Sequence, residues 1–230
     1  MSYFYLKAYP KLKRASFGQR HARVWRLLPW SLVTAGLALL ISVIGPVVAY
    51  QIKSGDFTPK IVSPMTVSAE TEEYLQPANW FVEAPVLPPR PSLITTYSLS
   101  IPKLGIKEAA VEIGGKDLGK AMVHYSGTAL PGQLGSAVIF CHSVLPQFFN
   151  PQNYKTICST LPTLKKGDAV GVSFDGIEYR YRVYQMLEVP PEDVTVLEQH
   201  YDNSYLSLVT CVPPGTYLRR LIVRAELVRI

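Results

Sequence analysis

Residues suited to acyl transfer lie at the ends of three apolar runs in the second half of the chain. Cys211 ends the run Leu206–Cys211, two arginines begin the run that follows it, and His142 comes directly after Ser136–Cys141. A thiolate is a strong nucleophile, and a nearby cation favours the thiolate over the thiol. An imidazole donates and accepts protons near neutral pH, as the exchange of one amine for another at a carbonyl requires. These residue types predict covalent acyl transfer with Cys211 as the nucleophile.

The two arginines, Arg219 and Arg220, follow Cys211 after a short segment that contains Pro213-Pro214-Gly215. If the flanking runs pair as antiparallel strands, Cys211 and one arginine lie at the same end of the pair. Alternation along a strand points neighbouring side chains to opposite faces, so only one of the two arginines can face the thiol. A guanidinium stays charged and donates in a planar fork, which suits it to hold a substrate carbonyl or to stabilise an oxyanion.

Each of these residues also has a simpler interpretation when it is taken alone. A strand cysteine is often a buried, inert core residue, a single histidine is often structural, and a strand arginine is often solvated or ion-paired. The chain has three cysteines, Cys141, Cys158 and Cys211, which is an odd number without CxxC spacing. This pattern favours neither a disulfide framework nor a four-cysteine zinc site, and it leaves at least one thiol free.

The chain from Leu93 onward has the pattern of an all-β domain, with short apolar or alternating runs between turn residues. Asp175-Gly176 between two of these runs is a strong signal for a β-hairpin. Short helices are predicted around Gly119–Val123 and Pro151–Leu161, where the alternation lapses. The predicted strands are Thr95–Ile101, Ala109–Ile113, Ser136–Cys141, Ala169–Phe174, Glu178–Val189, Leu206–Cys211 and Arg220–Val228.

The residues before this domain are predicted to attach it to a membrane. Residues 27–52 are 26 consecutive residues without a charge, which is enough for a transmembrane helix, since about 20 apolar residues cross a bilayer. Residues 1–26 carry seven Lys or Arg and no Asp or Glu, so we expect this basic tail in the cytoplasm and the domain outside. Residues 53–92 are rich in proline and are expected to form an extended extracellular stalk. A cleavable signal peptide is the alternative, although its apolar region usually spans only about 7–15 residues.

The net charge of +6 does not indicate nucleic-acid binding, because the excess lies in the basic tail. The remaining 204 residues carry 16 basic and 17 acidic side chains and offer no broad basic surface for phosphates. The hydrophobic fraction of 48% and the charged fraction of 17% are compatible with a folded core. The sequence therefore predicts one folded catalytic domain, at residues 93–230.

Taken together, the motifs resemble the sortase family over about residues 95–230. Ser207–Cys211 matches the TLxTC strand of that family with serine in place of the first threonine. Arg220–Val223 is similar to the arginine-bearing strand that follows, and this similarity selects Arg220 over Arg219. His142 stands where the family has its histidine. Three further segments resemble family motifs, namely Leu99–Ile106, His124–Gly132 and Lys166–Asp168.

Two features depart from the family pattern. Cys141 stands directly before His142, where the family commonly has glycine, and it is expected either to form a disulfide with Cys158 or to belong to the core. Pilin-building members often carry an Asp-Pro-aromatic lid before the domain, and the sequence has no Asp-Pro pair. This absence argues against pilus polymerisation.

The resemblance implies a closed eight-stranded β-barrel with the site at one end of the two C-terminal strands. Cys211 is expected to attack the threonine carbonyl of an LPxTG-like sorting signal, and His142 to protonate the leaving amine. Arg220 is expected to orient the substrate, and Thr210 is a candidate substrate-binding residue through the backbone beside Cys211. The implied partners are secreted proteins with a C-terminal sorting signal, a cell-wall precursor or other surface amine, and the cell membrane. No metal and no organic cofactor is implied.

Two alternatives remain open at this point. A cell-wall cross-linker of the L,D-transpeptidase type also uses an outward-facing cysteine and histidine, but its cysteine normally follows a His-Gly pair, which is absent before Cys211. The second alternative is a catalytically silent β-domain that binds partners at the cell surface. A depressed pKa of the Cys211 thiol favours an enzyme, and an inert thiol favours the binding domain.

Overall fold

The computed structural model describes residues 29–45, 48, 75–77, 80, 87–88, 90 and 92–228. The chain divides into two units, Met1–Ala49 and Tyr50–Ile230. The described part of the first unit is helical from residue 29 to residue 45 and again at residue 48. None of the helices in the described residues is both long and apolar enough to cross a membrane. The basic tail, the ends of the predicted transmembrane helix and most of the predicted stalk lie outside the described residues.

Eight strands of the second unit form a closed barrel. The strands are β1 (Thr96–Ile101), β2 (Ile106–Ile113), β3 (Met122–His124), β4 (Gly135–Phe140), β5 (Ala169–Phe174), β6 (Ile177–Val189), β7 (Ser204–Val212) and β8 (Arg219–Leu227). Their order around the barrel is β1-β2-β3-β4-β7-β8-β6-β5. β7 therefore lies between β4, with which it runs parallel, and β8, with which it runs antiparallel.

The barrel confirms the predicted all-β class and the closed eight-stranded architecture. Each predicted strand overlaps an observed one, and the predicted Ala169–Phe174 coincides with β5. β5 and β6 form the predicted hairpin, because Phe174 pairs with Ile177 across Asp175-Gly176. The two turn residues have φ angles of 53° and 72°, the left-handed conformation that two-residue hairpin turns require.

The two predicted helices are wrong. The first region contains a turn followed by β3, a three-residue strand that is held by pairing with β2 and β4. In the second region, residues 151–160 form mainly turns, with 3₁₀ helices only at Pro146–Phe148 and Leu161–Thr163. The side chains of Asn150 and Asn153 accept hydrogen bonds from backbone N–H groups two residues later, which favours turns over a regular helix.

Two apolar clusters lie on opposite faces of the barrel wall. The larger one takes side chains from all eight strands and fills the barrel interior. The smaller one, here called the outer cluster, draws its strand residues only from β3, β4, β6, β7 and β8. Because successive side chains of a strand point to opposite faces, these strands contribute to both clusters. The outer cluster consists of Trp80, Leu118, Val123, Val138, Phe140, Val189, Val196, Leu197, Val209, Cys211 and Ile222.

Candidate active site

Cys211, Arg220 and His142 lie on or just beyond three neighbouring strands. Cys211 of β7 pairs directly with Arg220 of β8 in the antiparallel register. On the other side of β7, Phe140 of β4 pairs with Val209, and continuing this parallel register by two residues brings His142 opposite Cys211. The Cys141 N–H donates to the Val209 carbonyl at 3.0 Å, which carries the ladder beyond β4. Neighbouring strands are about 4.8 Å apart, so the three residues form a short row across the sheet.

The three side chains of this row share the outer face of the barrel wall. Phe140 and Val209 belong to the outer cluster, and each lies two residues before His142 and Cys211 respectively. Ile222, which lies two residues after Arg220, belongs to the same cluster. Residues two apart in a strand face the same side. The row therefore places a thiol, an imidazole and a guanidinium along one surface.

Lys155 orients the His142 imidazole. Nδ1 of His142 lies 2.8 Å from the carbonyl oxygen of Lys155. A carbonyl can only accept, so this hydrogen bond assigns the ring proton to Nδ1 and leaves the Nε2 lone pair available. Burial lowers the pKa of His142, and the imidazole is therefore neutral at pH 7. A neutral ring with a free Nε2 is the form that accepts a proton from a nucleophile.

The Cys211 thiol is protonated in this arrangement. Cys211 is a free cysteine and is only 2% exposed. Burial raises the pKa of Cys211 to about 11, although the neighbouring Arg220 charge acts in the opposite direction. Arg220 favours the thiolate, as expected, but the cost of burying a charged sulfur exceeds the attraction of the guanidinium and keeps the thiol protonated in this state.

Trp80 covers Arg220. Nε and Nη2 of Arg220 donate to the Trp80 carbonyl at 3.1 and 2.9 Å, and Nη1 donates to the Tyr217 carbonyl at 2.9 Å. The guanidinium carbon also lies 5.6 Å from the centre of the indole ring, within range of a cation–π contact. The ring meets Phe140 edge to face at 5.4 Å between centroids. Trp80 thus joins the guanidinium of the row to the outer cluster.

A family model for the sortase domain matches residues 99–228, which is more than half of the 230-residue chain. The chain belongs to the sortase family. Sortases are cysteine transpeptidases, and the family match together with the structural match to a sortase C supports a transpeptidase of the sortase type. The resemblance inferred from the sequence motifs is confirmed by this match.

Solved sortase structures share the fold of this chain. A pilus-related sortase C of Group B Streptococcus matches with a TM-score of 0.52 and 29% identity, over 60% of this chain and 70% of that chain. Sortase C-1 from Streptococcus pneumoniae matches with a TM-score of 0.51 and 27% identity, over 58% and 67% of the two chains. A Clostridium perfringens sortase D5 transpeptidase has a TM-score of 0.50 at 23% identity, over 59% and 79%, which is a likeness of fold alone. No curated protein matches the sequence.

Thr210 of the sortase domain faces the barrel interior rather than the row. It is fully buried, and its hydroxyl donates to the Cys141 carbonyl at 2.9 Å, which ties β7 to the end of β4. The side chain of Thr210 is therefore structural, and the expected role of its backbone in substrate binding stays a prediction. Arg219, one position before Arg220, is partly exposed and donates to the Glu188 carbonyl at 3.1 Å.

The two remaining cysteines of the sortase domain form a disulfide between Cys141 and Cys158. Both residues belong to the cluster that fills the barrel interior. The two possibilities left open by the sequence are thus both true, because the bridge is itself part of the core. The bridge and the free thiol of Cys211 lie on opposite faces of the wall, since Cys211 belongs to the outer cluster.

Sequence reasoning did not assign Trp80 or Lys155 to the site. Trp80 lies in the proline-rich segment that was predicted to form an extended stalk, outside the predicted catalytic domain. Lys155 contributes its backbone carbonyl, which no side-chain pattern reveals. Among the described residues, no group of three or more His, Cys, Asp or Glu side chains could hold a metal ion.

Proposed function

We propose that this chain is a membrane-anchored sortase that cleaves an LPxTG-like sorting signal and transfers the released acyl group to a cell-surface amine. The observation that carries the proposal is the row of His142, Cys211 and Arg220 on one face of neighbouring strands. A nucleophile, a proton carrier and a hydrogen-bond donor for a carbonyl are the groups that acyl transfer requires.

In the first half of the proposed reaction, the Cys211 sulfur attacks the threonine carbonyl of the sorting signal. Both the thiol and the imidazole are neutral before substrate binds, so the thiol proton passes to the free Nε2 of His142 as the S–C bond forms. The resulting imidazolium then gives this proton to the leaving amine as the C–N bond breaks. The products are a thioacyl enzyme and the released downstream peptide.

Arg220 is proposed to hold the carbonyl oxygen that becomes negatively charged. Two of its N–H groups already donate to a carbonyl oxygen, that of Trp80. A substrate carbonyl in the same position would receive the same pair of donors, and these bonds would strengthen as charge develops on the oxygen. We infer that the substrate replaces the Trp80 carbonyl when it binds.

In the second half, an amine of a cell-wall precursor or another surface amine attacks the thioester. His142 accepts a proton from this amine and returns it to the departing sulfur, as microscopic reversibility requires. A new amide bond replaces the thioester, and the enzyme regains its thiol.

Membrane attachment belongs to the same proposal. It is supported by the charge-free residues 27–52, by the basic tail before them, and by the helical conformation of residues 29–45. The tail would stay in the cytoplasm and the sortase domain would face outward. Holding enzyme, sorting signal and acceptor at one surface raises their effective concentration.

One observation favours the second candidate, a catalytically silent β-domain. The buried Cys211 thiol has a pKa of about 11, and a thiol of this kind is inert toward substrates. Under this alternative the row is a structural feature of the barrel and Trp80 covers it permanently. The two candidates differ in whether substrate can reach Cys211.

The test is to incubate the full chain, solubilised in detergent, with a panel of sorting-signal peptides and an amine acceptor. A Cys211→Ala variant serves as the matched control, because it removes one sulfur atom and keeps the fold. The proposed function predicts cleavage and joining of at least one peptide by the native chain and none by the variant. No product from any peptide would favour the silent domain, and equal activity of the two proteins would contradict the proposed role of Cys211.

A further inference from the structure

The carbonyl that orients His142 lies in a segment without strand partners. Lys155 belongs to residues 144–168 between β4 and β5, in which the only regular elements are the 3₁₀ helices Pro146–Phe148 and Leu161–Thr163. Its own N–H donates to the exposed Asn153 side chain at 3.0 Å, and the hydroxyl of the neighbouring Tyr154 accepts from the Ala110 N–H of β2 at 2.9 Å. No strand ladder fixes the Lys155 carbonyl, so its position depends on the contacts that hold the chain on either side of it.

The Cys141–Cys158 disulfide supplies a constraint at this place. Cys141 is the residue before His142, and Cys158 lies three residues after Lys155. The Cys158 N–H also donates to the His142 carbonyl at 3.1 Å. The bridge therefore joins the residue next to the imidazole to the segment that carries its hydrogen-bond acceptor.

We propose that this disulfide positions His142 by holding the Lys155 carbonyl against Nδ1. The bridge thereby fixes the neutral tautomer whose Nε2 is free to exchange a proton with Cys211. Cys141, Cys158 and Lys155 are positioning residues, because they act on the reaction only through His142. The inference rests on the proposed function for its effect on catalysis, whereas its effect on the imidazole can be measured separately.

A role limited to holding β4 in place does not explain the bridge. β4 is already paired on both edges, with β3 and with β7, and the ladder continues to the Cys141 N–H. The segment around Lys155 lacks such pairing and is the part that the bridge constrains. The sulfur atoms also face the interior while Cys211 faces outward, so the nucleophile is kept from exchanging with the bridge.

The experiment compares the native full chain in detergent with a Cys141→Ala/Cys158→Ala variant. Selective ¹⁵N labelling reports on only four histidines, and a His142→Gln variant assigns the His142 signals. In the native chain, the nitrogen shifts should show a single tautomer with the proton on Nδ1. In the double variant, we expect a mixture of tautomers and a kcat for peptide cleavage that is lower by roughly 10- to 100-fold, with little change in KM.

Two further variants separate positioning from stability. Leu99→Ala removes core volume in β1, which lies across the barrel from β7, and it should keep both the tautomer and kcat at a temperature where it is folded. Cys141→Val/Cys158→Ala also lacks the bridge but fills more of its space, so it replaces the first double variant if that protein is too unstable to measure. It should show the same mixture of tautomers and the same loss of kcat.

The inference is overturned if a folded bridge-less variant keeps the Nδ1-protonated tautomer and a native kcat. It is also overturned if Leu99→Ala loses activity to the same extent at equal stability. A native chain that cleaves no peptide contradicts the proposed function instead, and the tautomer measurement then decides the positioning role without reference to catalysis.

Discussion

The two faces of the barrel wall each bury a histidine, and the two histidines differ in how their nitrogens are used. On the inner face, both ring nitrogens of His124 are occupied, by the Tyr97 hydroxyl at 2.7 Å and by the Thr128 hydroxyl at 3.0 Å. On the outer face, the hydrogen bond to Lys155 occupies Nδ1 of His142, and no residue in the described part of the chain bonds to its Nε2. His124 is therefore a satisfied core residue, whereas His142 keeps one nitrogen available for proton transfer.

The cysteines show the same contrast. Cys141 faces the interior and is bonded to Cys158, while Cys211 faces outward and keeps its thiol. Burial alone does not distinguish the two faces, because the side chains of both the histidines and the cysteines are buried. On the inner face, the nitrogens of His124 and the sulfurs of the disulfide all have bonding partners. On the outer face, Nε2 of His142 and the thiol of Cys211 remain available for reaction next to a guanidinium. Four predictions test this difference, from the largest expected effect to the smallest.

Replacing each histidine by glutamine should separate the faces most strongly. His142→Gln should lower kcat/KM for peptide cleavage by about 100- to 10,000-fold, because it removes the acid/base group. His124→Gln should leave kcat/KM nearly unchanged and lower the melting temperature instead. Steady-state kinetics and thermal unfolding of both variants provide the measurement. An equal loss of activity in the two variants would show that the contrast has no bearing on catalysis.

The two adjacent arginines test the contrast along β8. Arg220→Lys should lower kcat by roughly 100- to 1000-fold, because an ammonium cannot donate the paired hydrogen bonds that the guanidinium gives to one carbonyl. Arg219→Lys is the matched control and should retain nearly native kcat, since Arg219 contacts Glu188 at the surface. A native kcat for Arg220→Lys would remove Arg220 from the mechanism.

His124 should make the inner face sensitive to acid. Burial lowers the pKa of His124 to about 4 in the folded chain, against about 6.5 in the unfolded chain. The unfolded state therefore binds a proton first as pH falls, and stability that is complete above pH 6.5 is lost progressively between about pH 6.5 and pH 4. The expected loss is on the order of 3 kcal/mol.

Denaturant unfolding of the native chain and of His124→Gln across this pH range measures the effect. The variant should show a much smaller slope of unfolding free energy against pH. Asp168 does not interfere, because the Lys103 hydrogen bond lowers its pKa below the usual value. Its effect on the unfolding free energy therefore occurs at a lower pH than that of His124. Identical slopes in the two proteins would mean that His124 titrates normally.

Removing the cover from the outer face should expose Cys211. In Trp80→Ala we expect the thiol to react with a small alkylating reagent about tenfold faster than in the native chain, because its pKa falls toward the usual value when burial is relieved. Intact-mass spectrometry over time gives the rate, and Phe148→Ala, a change at an exposed aromatic residue outside the outer cluster, is the control. Unchanged labelling in Trp80→Ala would show that Trp80 does not limit access.

The pairing of Cys211 with one of the two arginines could be predicted from the sequence, because the two strands are consecutive and alternation lets only one arginine face the thiol. The choice of Arg220 over Arg219 came from the family resemblance. The position of His142 was inferable only from the family resemblance, since its strand runs parallel to β7 and two other strands intervene in the chain. Trp80 lies 140 residues from Arg220, and no local pattern predicts a contact of that separation. The raised pKa of Cys211 follows from this packing, and so it escaped prediction as well.

The central claim is that Cys211 on the outer face forms a covalent acyl intermediate. The direct measurement is to mix the full chain with a cleavable sorting-signal peptide in the absence of amine acceptor, quench in acid and determine the intact mass and the modified residue. We expect a thioester between Cys211 and the N-terminal part of the peptide, which is absent in Cys211→Ala and decays when an amine is added. Peptide cleavage without an adduct, or an adduct that persists in Cys211→Ala, would contradict it.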